Sequence, residues 1–535
     1  MTVDARREEE TLTQRRARIL GFSYTDTTKI NPKLLYKNFI SNEDMQRVRV
    51  VPLRVDKGYA LIGITNTTPQ SALKSISDTY NDLRVEYSLI SDTGFYEYSK
   101  LYNPPKQVVY ENIELNEAGS DQLIATISNI LNQVRADDML AYLVSQAHRL
   151  NASDIHIETD EFDVRIRLRI DGVLHVIARI GFDKYRILLS AIASAGNIST
   201  GSNEAQQGHI TQKIQMADQS IVDVNVRLET VPTINGIDVV MRLFNMDESM
   251  YSLDRLGLSE KEMSVVNSII TKPGGLVMIV GPTGSGKTTT LYSILNTLNH
   301  EDRKIITIED PVEYRLRGVS QIPVTSSEHG DDSIFADKLR AILRLDPDIV
   351  MVGEVRDNDT ARTALQAALT GHLVLTTFHA SSASAALTRL SDIIGQNPLF
   401  VSAIRLIMAQ RLVRRLDDTT KQAYDATDHE KNILLKIINT LPPGVERPSL
   451  DGLKLYKPGS SEGNPYGFSG QIALREQLTM TDSVVKVITT PGIVVKTTDI
   501  ESAASVDGML TMMQDAVRKV IDGQTTIEEV FRVLD

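Results

Sequence analysis

Residues 278–290 read "MIVGPTGSGKTTT", and this stretch decides the fold. An apolar strand leads into it and a helix leaves it, so its glycines fall in the turn between the two. Gly281 to Thr288 fit the pattern G-x-x-x-x-G-K-[ST]. Glycines at those positions let a loop wrap its backbone N–H groups around phosphate oxygens at a helix N-terminus. Lys287 is expected to reach the β- and γ-phosphates of a nucleotide, and the Thr288 hydroxyl to ligate Mg²⁺. The candidate nucleotide-binding residues are therefore Gly281, Pro282, Thr283, Gly284, Ser285, Gly286, Lys287, Thr288 and Thr289.

Outward from the loop, residues 257–416 alternate strands with helix-length segments. The strands are "GLVMIV", "KIITIED", "DIVMVGE" and "HLVLTTFH". Each is an apolar run ending in small, acidic or histidine residues, as expected of a parallel sheet buried on both faces. Ligands of such sheets gather outside the carboxyl ends of the strands. "ITIEDPVEY" at 306–314 places Glu309, Asp310 and Glu313 just past one strand, and "DIVMVGEVRD" at 348–357 puts Glu354 at the end of the next. "TGHLVLTTFHA" at 370–380 brackets a further strand with His372 and His379. Cleaving a phosphoanhydride needs a positioned water, a held metal and groups that meet the developing charge. Taken singly, each residue could cap a helix or sit on the surface; three strands delivering acids and histidines to one sheet edge favour the chemical reading. Arg340 and Arg344, in "LRAILRLDPD", are i, i+4 on one helix face. A salt-bridged surface and a subunit contact both remain open for them.

Upstream, residues 136–245 hold a helix and two hairpins. "DG" at 171–172 and "NG" at 235–236 supply the turn chemistry. Arg165, Arg167 and Arg169 alternate with apolar residues and so share one face of a strand. A solvated sheet face is the plainer reading, and a phosphate- or interface-facing stripe the other. Residues 18–105 read as a small α/β module, preceded by a charged helical or frayed tail over 1–17. Linkers are expected at 106–135 and 246–256. Downstream, 417–470 is rich in Pro, Gly, Asp and Ser around one amphipathic helix, and 471–535 reads as helical.

The chain has 535 residues, 41% hydrophobic and 24% charged, which suits a soluble protein of several domains. No apolar run approaches the ~20 residues of a membrane span, and the charged N-terminus has no signal-peptide core, so a cytoplasmic location is expected. The net charge of −12 argues against broad nucleic-acid binding. There is no cysteine, which excludes disulfides and thiolate zinc sites.

Taken together, "GLVMIVGPTGSGKTTTLYS", "TIEDPVEY", "LRAILRLDPDIVMVGEVRD", "ALTGHLVLTTFHA" and "MAQRLVRRL" resemble the secretion ATPases of type IV pilus and type II secretion systems. "SDIHIE", "RIRLRIDGVLH" and "VRLETVPTINGIDVVMRL" resemble the domain preceding the motor in that family, and "RVVPLRVDKGYALIGITN" the N-terminal module of its assembly-type members. "GFSGQIALREQLTMTD" and "DGQTTIEEVFRV" resemble its C-terminal region. The resemblance implies a multidomain α/β chain: a RecA-like P-loop motor, a smaller PAS-like α/β domain before it, and an N-terminal α/β module. It implies a homo-hexameric ATPase using ATP and Mg²⁺, peripheral at the inner face of the cytoplasmic membrane. Its partners would be an inner-membrane platform protein and, indirectly, pilin subunits.

Carried over by position, Glu313 activates the water and Glu354 is the Walker B acid, reaching Mg²⁺ partly through water. His379, and with less support His372, senses the phosphate. Arg227 and Arg242 match family arginines that approach the nucleotide when the domains close; without the resemblance they read as surface strand arginines. Three departures stand out. The cysteine pairs that hold zinc in assembly-type members are absent, "DDTTKQAYD" standing at the first. "TTFHASSA" and "NEAQQGHI" differ from the commoner family wording, and no copy of a cyclic-dinucleotide motif is found in the N-terminal module. A type II secretion motor and a pilus retraction motor are close alternatives; a nucleotide-dependent scaffold with little turnover and a nucleic-acid translocase are the alternatives from other classes.

Overall fold

The computed structural model describes all residues except 1–2, 31, 103–120, 136–137, 216–220, 245–250, 325–333, 396–397, 462–463, 465, 492–493 and 535. Residues 246–250 of the expected linker 246–256 and 106–120 of the expected linker 106–135 thus lie outside the described residues, while Leu253–Leu256 form a 3₁₀ turn with Leu253 buried. Two compact units emerge, Met1–Tyr110 and Glu111–Asp535.

The first unit begins with helix α1 (Val3–Leu20), followed by β1 (Ser23–Tyr24), α2 (Asn42–Val48), β2 (Val50–Asp56), β3 (Tyr59–Ile64), α3 (Gln70–Thr79), β4 (Arg84–Leu89) and α4 (Asp92–Tyr102). The strand order is β1-β4-β3-β2, with only the β2–β3 pair antiparallel. Met45, Phe95 and Tyr98 are buried at its core. The N-terminal residues are built into this unit instead of trailing from it. Ala17 is buried, and the Glu10 carboxylate accepts hydrogen bonds from Tyr24 (2.7 Å), Ser91 (2.7 Å) and Arg6 (3.0 Å). Polar contacts of this kind leave no apolar periodicity to read.

The second unit opens with helices α5 (Asp121–Gln133) and α6 (Met139–Arg149). Residues 121–133, expected within a linker, form a helix because Ile127 and Leu131 bury. Six antiparallel strands follow: β5 (Ala152–Thr159), β6 (Val164–Ile170), β7 (Val173–Ile180), β8 (Gln206–Gln215), β9 (Ile221–Pro232) and β10 (Ile237–Phe244), with α7 (Phe182–Gly196) between β7 and β8. Their order is β7-β6-β5-β10-β9-β8. The β6–β7 turn places Asp171 at φ 47° and Gly172 at φ 81°, the twofold positive φ that an Asp-Gly hairpin turn supplies.

The motor then runs α8 (Glu260–Ile270), β11 (Gly275–Val280), α9 (Lys287–Leu298), β12 (Ile305–Glu309), β13 (Val319–Pro323), α10 (Ile334–Ile342) and β14 (Ile349–Val352). It continues through α11 (Asn358–Leu369), β15 (Leu373–Phe378), α12 (Ala383–Ile394), α13 (Pro398–Ala403) and β16 (Ile404–Leu416). Beyond lie β17 (Gln422–Asp425), α14 (Asp428–Ile438), β18 (Lys454–Lys457), β19 (Phe468–Thr479) and helices α15 to α18 (Asp482–Thr489, Thr497–Val506, Met512–Ile521, Ile527–Leu534). The sheet order is β13-β12-β14-β15-β11-β16-β19, parallel except for β19. Along β11, Leu276, Met278 and Val280 enter one core while Val277 and Ile279 enter the other, so the central strand is buried on both faces.

Residues 471–479, read as helical, belong to strand β19. An amphipathic stretch such as "QIALREQLT" fits either period, and pairing with the long β16 decides it. Between β16 and β19 no thiolate holds the segment. Leu434, Ile438, Leu441 and Leu455 instead bury into the core shared with α16 and α17, and Thr427 and Glu430 form a capping box on α14. Among the described residues no helix is long and apolar enough to cross a membrane.

Candidate nucleotide cleft

The loop after β11 turns sharply because glycine alone fits it. A Cβ on Gly281 would lie 2.5 Å from the Gln410 carbonyl oxygen, and Gly286, at φ 81°, starts α9 beside the Gln410 side chain. Gln410 is buried; it donates to the Ser285 carbonyl (2.7 Å) and accepts from the Thr290 hydroxyl (2.9 Å). Both ends of the loop are thereby tied to the neighbouring strand β16. The Lys287 ammonium donates to the carbonyls of Gly281 (2.9 Å) and Pro282 (2.8 Å), and burial lowers its pKa, Glu354 opposing and Arg411 reinforcing the shift.

A cleft of about 810 Å³ opens over this loop, lined by Pro282 to Thr289, by Glu313, Glu354, His379 and Arg411 of the motor, and by Asp154, Arg169 and Arg242 of the preceding sheet. His379 Nε2 lies 2.7 Å from Glu354, whose other oxygen accepts from Arg356 (2.6 Å). Burial raises the pKa of Glu313, the charges of Arg227 and Arg242 oppose that rise, and Glu309 adds to it. Arg242 pairs with the buried Asp154 at 2.9 Å, and Arg169 shares that carboxylate at 3.4 Å. Arg227 stands directly opposite Arg242 across β9–β10, 3.5 Å from Glu229, and is not among the residues lining the cleft.

Several sequence-based candidates sit elsewhere or do other work. His372 precedes β15 and lies at the opposite end of that strand from His379. Its ring contacts the Ala367 carbonyl (3.0 Å) and Thr370 (3.1 Å) at the end of α11, so it is held away from the cleft's phosphate loop. Glu309 borders the cleft but is buried and bound by Thr307 (2.5 Å), Gln321 (3.0 Å) and Tyr292, which commits its carboxylate to structural contacts. Arg340 joins Asp337 (2.7 Å) and Asp359 (3.4 Å) as a surface ion-pair cluster, while Arg344 falls in a 3₁₀ turn after α10 has ended. Of the arginine stripe, Arg165 and Arg167 pair with Glu158, and only Arg169 reaches the cleft.

Residues 133–532 match the family described as "Type II/IV secretion system protein". The chain belongs to that family. Membership places it among the secretion and pilus ATPases. The type II secretion system protein E of Xanthomonas campestris pv. campestris is 38% identical over 425 residues, covering 78% of this chain and 71% of that protein. The type IV pilus assembly ATPase PilB of Myxococcus xanthus is 31% identical over 522 residues, covering 93% and 88%. Among solved structures, the Legionella pneumophila ATPase DotB superposes with a TM-score of 0.53 at 22% identity, over 80% of this chain and 97% of that one, and it shares the RecA-like fold.

Four residues in or beneath the cleft are not singled out by the sequence, although Asp154 lies in the quoted "SDIHIE" and Arg532 in "DGQTTIEEVFRV". Gln410 and Arg411 lie inside the quoted "MAQRLVRRL", but only the adjacency of β16 to β11 brings them to the loop. Asp154 reaches the cleft through the docking of the preceding sheet. Arg532 arrives with the last helix, its guanidinium held by the buried Glu529 at 2.6 Å.

Proposed function

We propose that this chain works as a homo-hexamer at the cytoplasmic face of the inner membrane, coupling ATP hydrolysis to pilin polymerisation into a type IV pilus through a platform protein. The observation that carries this reading is the reach of the Myxococcus match, 93% of this chain and 88% of a type IV pilus assembly ATPase. A type II secretion role is the second reading, favoured by the higher identity, 38%, to a type II secretion system protein E.

In this proposal the residues divide the work as follows. Backbone N–H groups of 284–289 and the Lys287 ammonium hold the phosphates, the lysine leaving its loop carbonyls for them. Thr288 and Glu354 offer hard oxygen donors, which suit Mg²⁺, a cation that takes one or two protein oxygens and keeps several waters. When bound, Mg²⁺ neutralises charge on the β- and γ-phosphate oxygens. Glu354 accepts from His379 and Arg356 and keeps lone pairs with which it would help hold Mg²⁺. Glu313, half-buried in the cleft lining, accepts a proton from the attacking water. Arg242, with Arg227 behind it, meets the charge on the transferred group once it exchanges Asp154 for phosphate oxygens. His379 links the phosphate end of the cleft to the loop after β15.

The test is a count of surface filaments by electron microscopy in cells whose only copy carries Glu313→Gln, the protein being present at normal level. Loss of filaments is expected. Longer or more numerous filaments would indicate retraction instead, and unchanged filaments with exported proteins trapped in the cell would favour type II secretion.

A further inference from the structure

Five arginines line the cleft: Arg169, Arg242, Arg356, Arg411 and Arg532. Four of them sit on carboxylates, Arg169 and Arg242 on Asp154, Arg356 on Glu354, and Arg532 on Glu529. Arg411 differs. Its guanidinium donates only to two backbone carbonyls, Gln410 at 3.1 Å and Ser381 at 3.1 Å, and no carboxylate lies within ion-pair distance among the described residues. Burial lowers its pKa against the more distant pull of the Glu476 charge, and its own charge in turn disfavours that of Lys287. The motor wall therefore holds two half-buried cations, neither neutralised by a carboxylate contact. A partly desolvated charge without a partner is costly, and two that repel each other form a place where an anion is stabilised.

We infer that Arg411 is a phosphate-contacting residue of the ATP site, acting beside Lys287 at the terminal-phosphate end of the cleft. The placement follows from its two anchors. Gln410, whose carbonyl abuts Gly281, fixes one side of the guanidinium against the P-loop. Ser381 fixes the other side two residues beyond His379, which itself faces Glu354. Two of the five N–H groups of the guanidinium are used on carbonyls, and the planar fork keeps others free for phosphate oxygens. The same anchors let Arg411 report a bound phosphate to the loop after β15 and so to α12. The inference rests on the ATPase reading above and adds a residue to it.

The test is calorimetric binding of MgATP and MgADP to the full chain carrying Arg411→Ala, Arg411→Gln or Arg411→Lys, with melting temperatures measured in parallel. Both neutral variants are expected to weaken MgATP by about 10- to 100-fold, the range of a lost hydrogen bond to a charged group. MgADP should weaken less, and Arg411→Lys should recover part of the loss. Unchanged affinity in the neutral variants would overturn the inference. So would equal losses for both nucleotides, with a lower melting temperature and full recovery by Arg411→Gln, since that pattern belongs to a structural staple between β16 and the loop. A wild-type chain that binds neither nucleotide would overturn the ATPase reading instead.

Discussion

The two walls of the cleft differ in their cations: the motor wall carries two without a carboxylate contact beside the paired Arg356 and Arg532, and the preceding sheet carries only paired ones. On the motor wall, Lys287 and Arg411 donate to backbone carbonyls alone. On the facing wall, Arg242 and Arg169 share Asp154 and Arg227 sits by Glu229. Cations without a carboxylate partner, as Lys287 and Arg411 are, accept a polyphosphate directly. A wall whose arginines are already paired must trade a carboxylate for a phosphate before it contributes, and Asp154, being buried, resists losing its partner. In the proposed function the difference would separate two tasks: the motor wall would bind, and the preceding sheet would act only when the transferred group presents enough charge to win that exchange.

Arg242→Ala gives the sharpest break between the walls. It should lower turnover by about 100-fold, as removal of a preorganised charge at a transition state does, while MgATP affinity changes by less than about threefold. It should also move the acid limb of the turnover profile to higher pH. The Arg242 charge opposes the burial-driven rise of the Glu313 pKa, so its loss lets that pKa climb further and leaves less of the base ionised at a given pH. A fall in affinity with unchanged turnover would erase the division between the walls.

A second, smaller effect concerns what holds the motor wall together. Glu529 is buried and accepts from the Arg414 backbone (3.0 Å) and side chain (2.6 Å) as well as from Arg532. These contacts outweigh burial and hold its carboxyl at about 2, below the ordinary 4.5. Its contribution is therefore complete above about pH 4.5 and fades as the pH falls toward 2. Glu529→Ala should cost about 3 kcal/mol near neutrality, the low end for breaking a buried pair. In urea denaturation, the gap from wild type should close toward pH 2.

The smallest effect is expected where sequence and structure disagree. His372→Ala should leave turnover within about twofold, as surface substitutions do. His379→Ala, removing a ring that contacts Glu354, should lower it by about tenfold or more. Equal losses in the two variants would restore His372 to the site.

That disagreement shows what the sequence carries and what it does not. The P-loop, Glu354 and His379 were legible because each follows a buried parallel strand, and the carboxyl ends of such strands all face one edge. The same rule excludes His372: it precedes Leu373, so the six residues of β15, at ~3.3 Å each, stand between it and that edge. Glu309 ends its strand yet turns inward, and only its burial by Tyr292, Thr307 and Gln321 reveals this. Asp154, Gln410 and Arg411 fall in stretches that resemble the family, but their place at the cleft depends on which strands and domains become neighbours, a tertiary fact. The strand at 471–479 and the helix at 121–133 were misread for the same reason, since partners and not periodicity settle them.

The most direct measurement compares steady-state ATP hydrolysis and MgATP affinity of the full chain with those of Glu313→Gln. Turnover should fall by at least about 100-fold, as for loss of a general base, with affinity held within about threefold. Hydrolysis at the wild-type rate would contradict the assignment of Glu313 as the base and, with it, the proposal that this cleft is built to hydrolyse ATP in the way described.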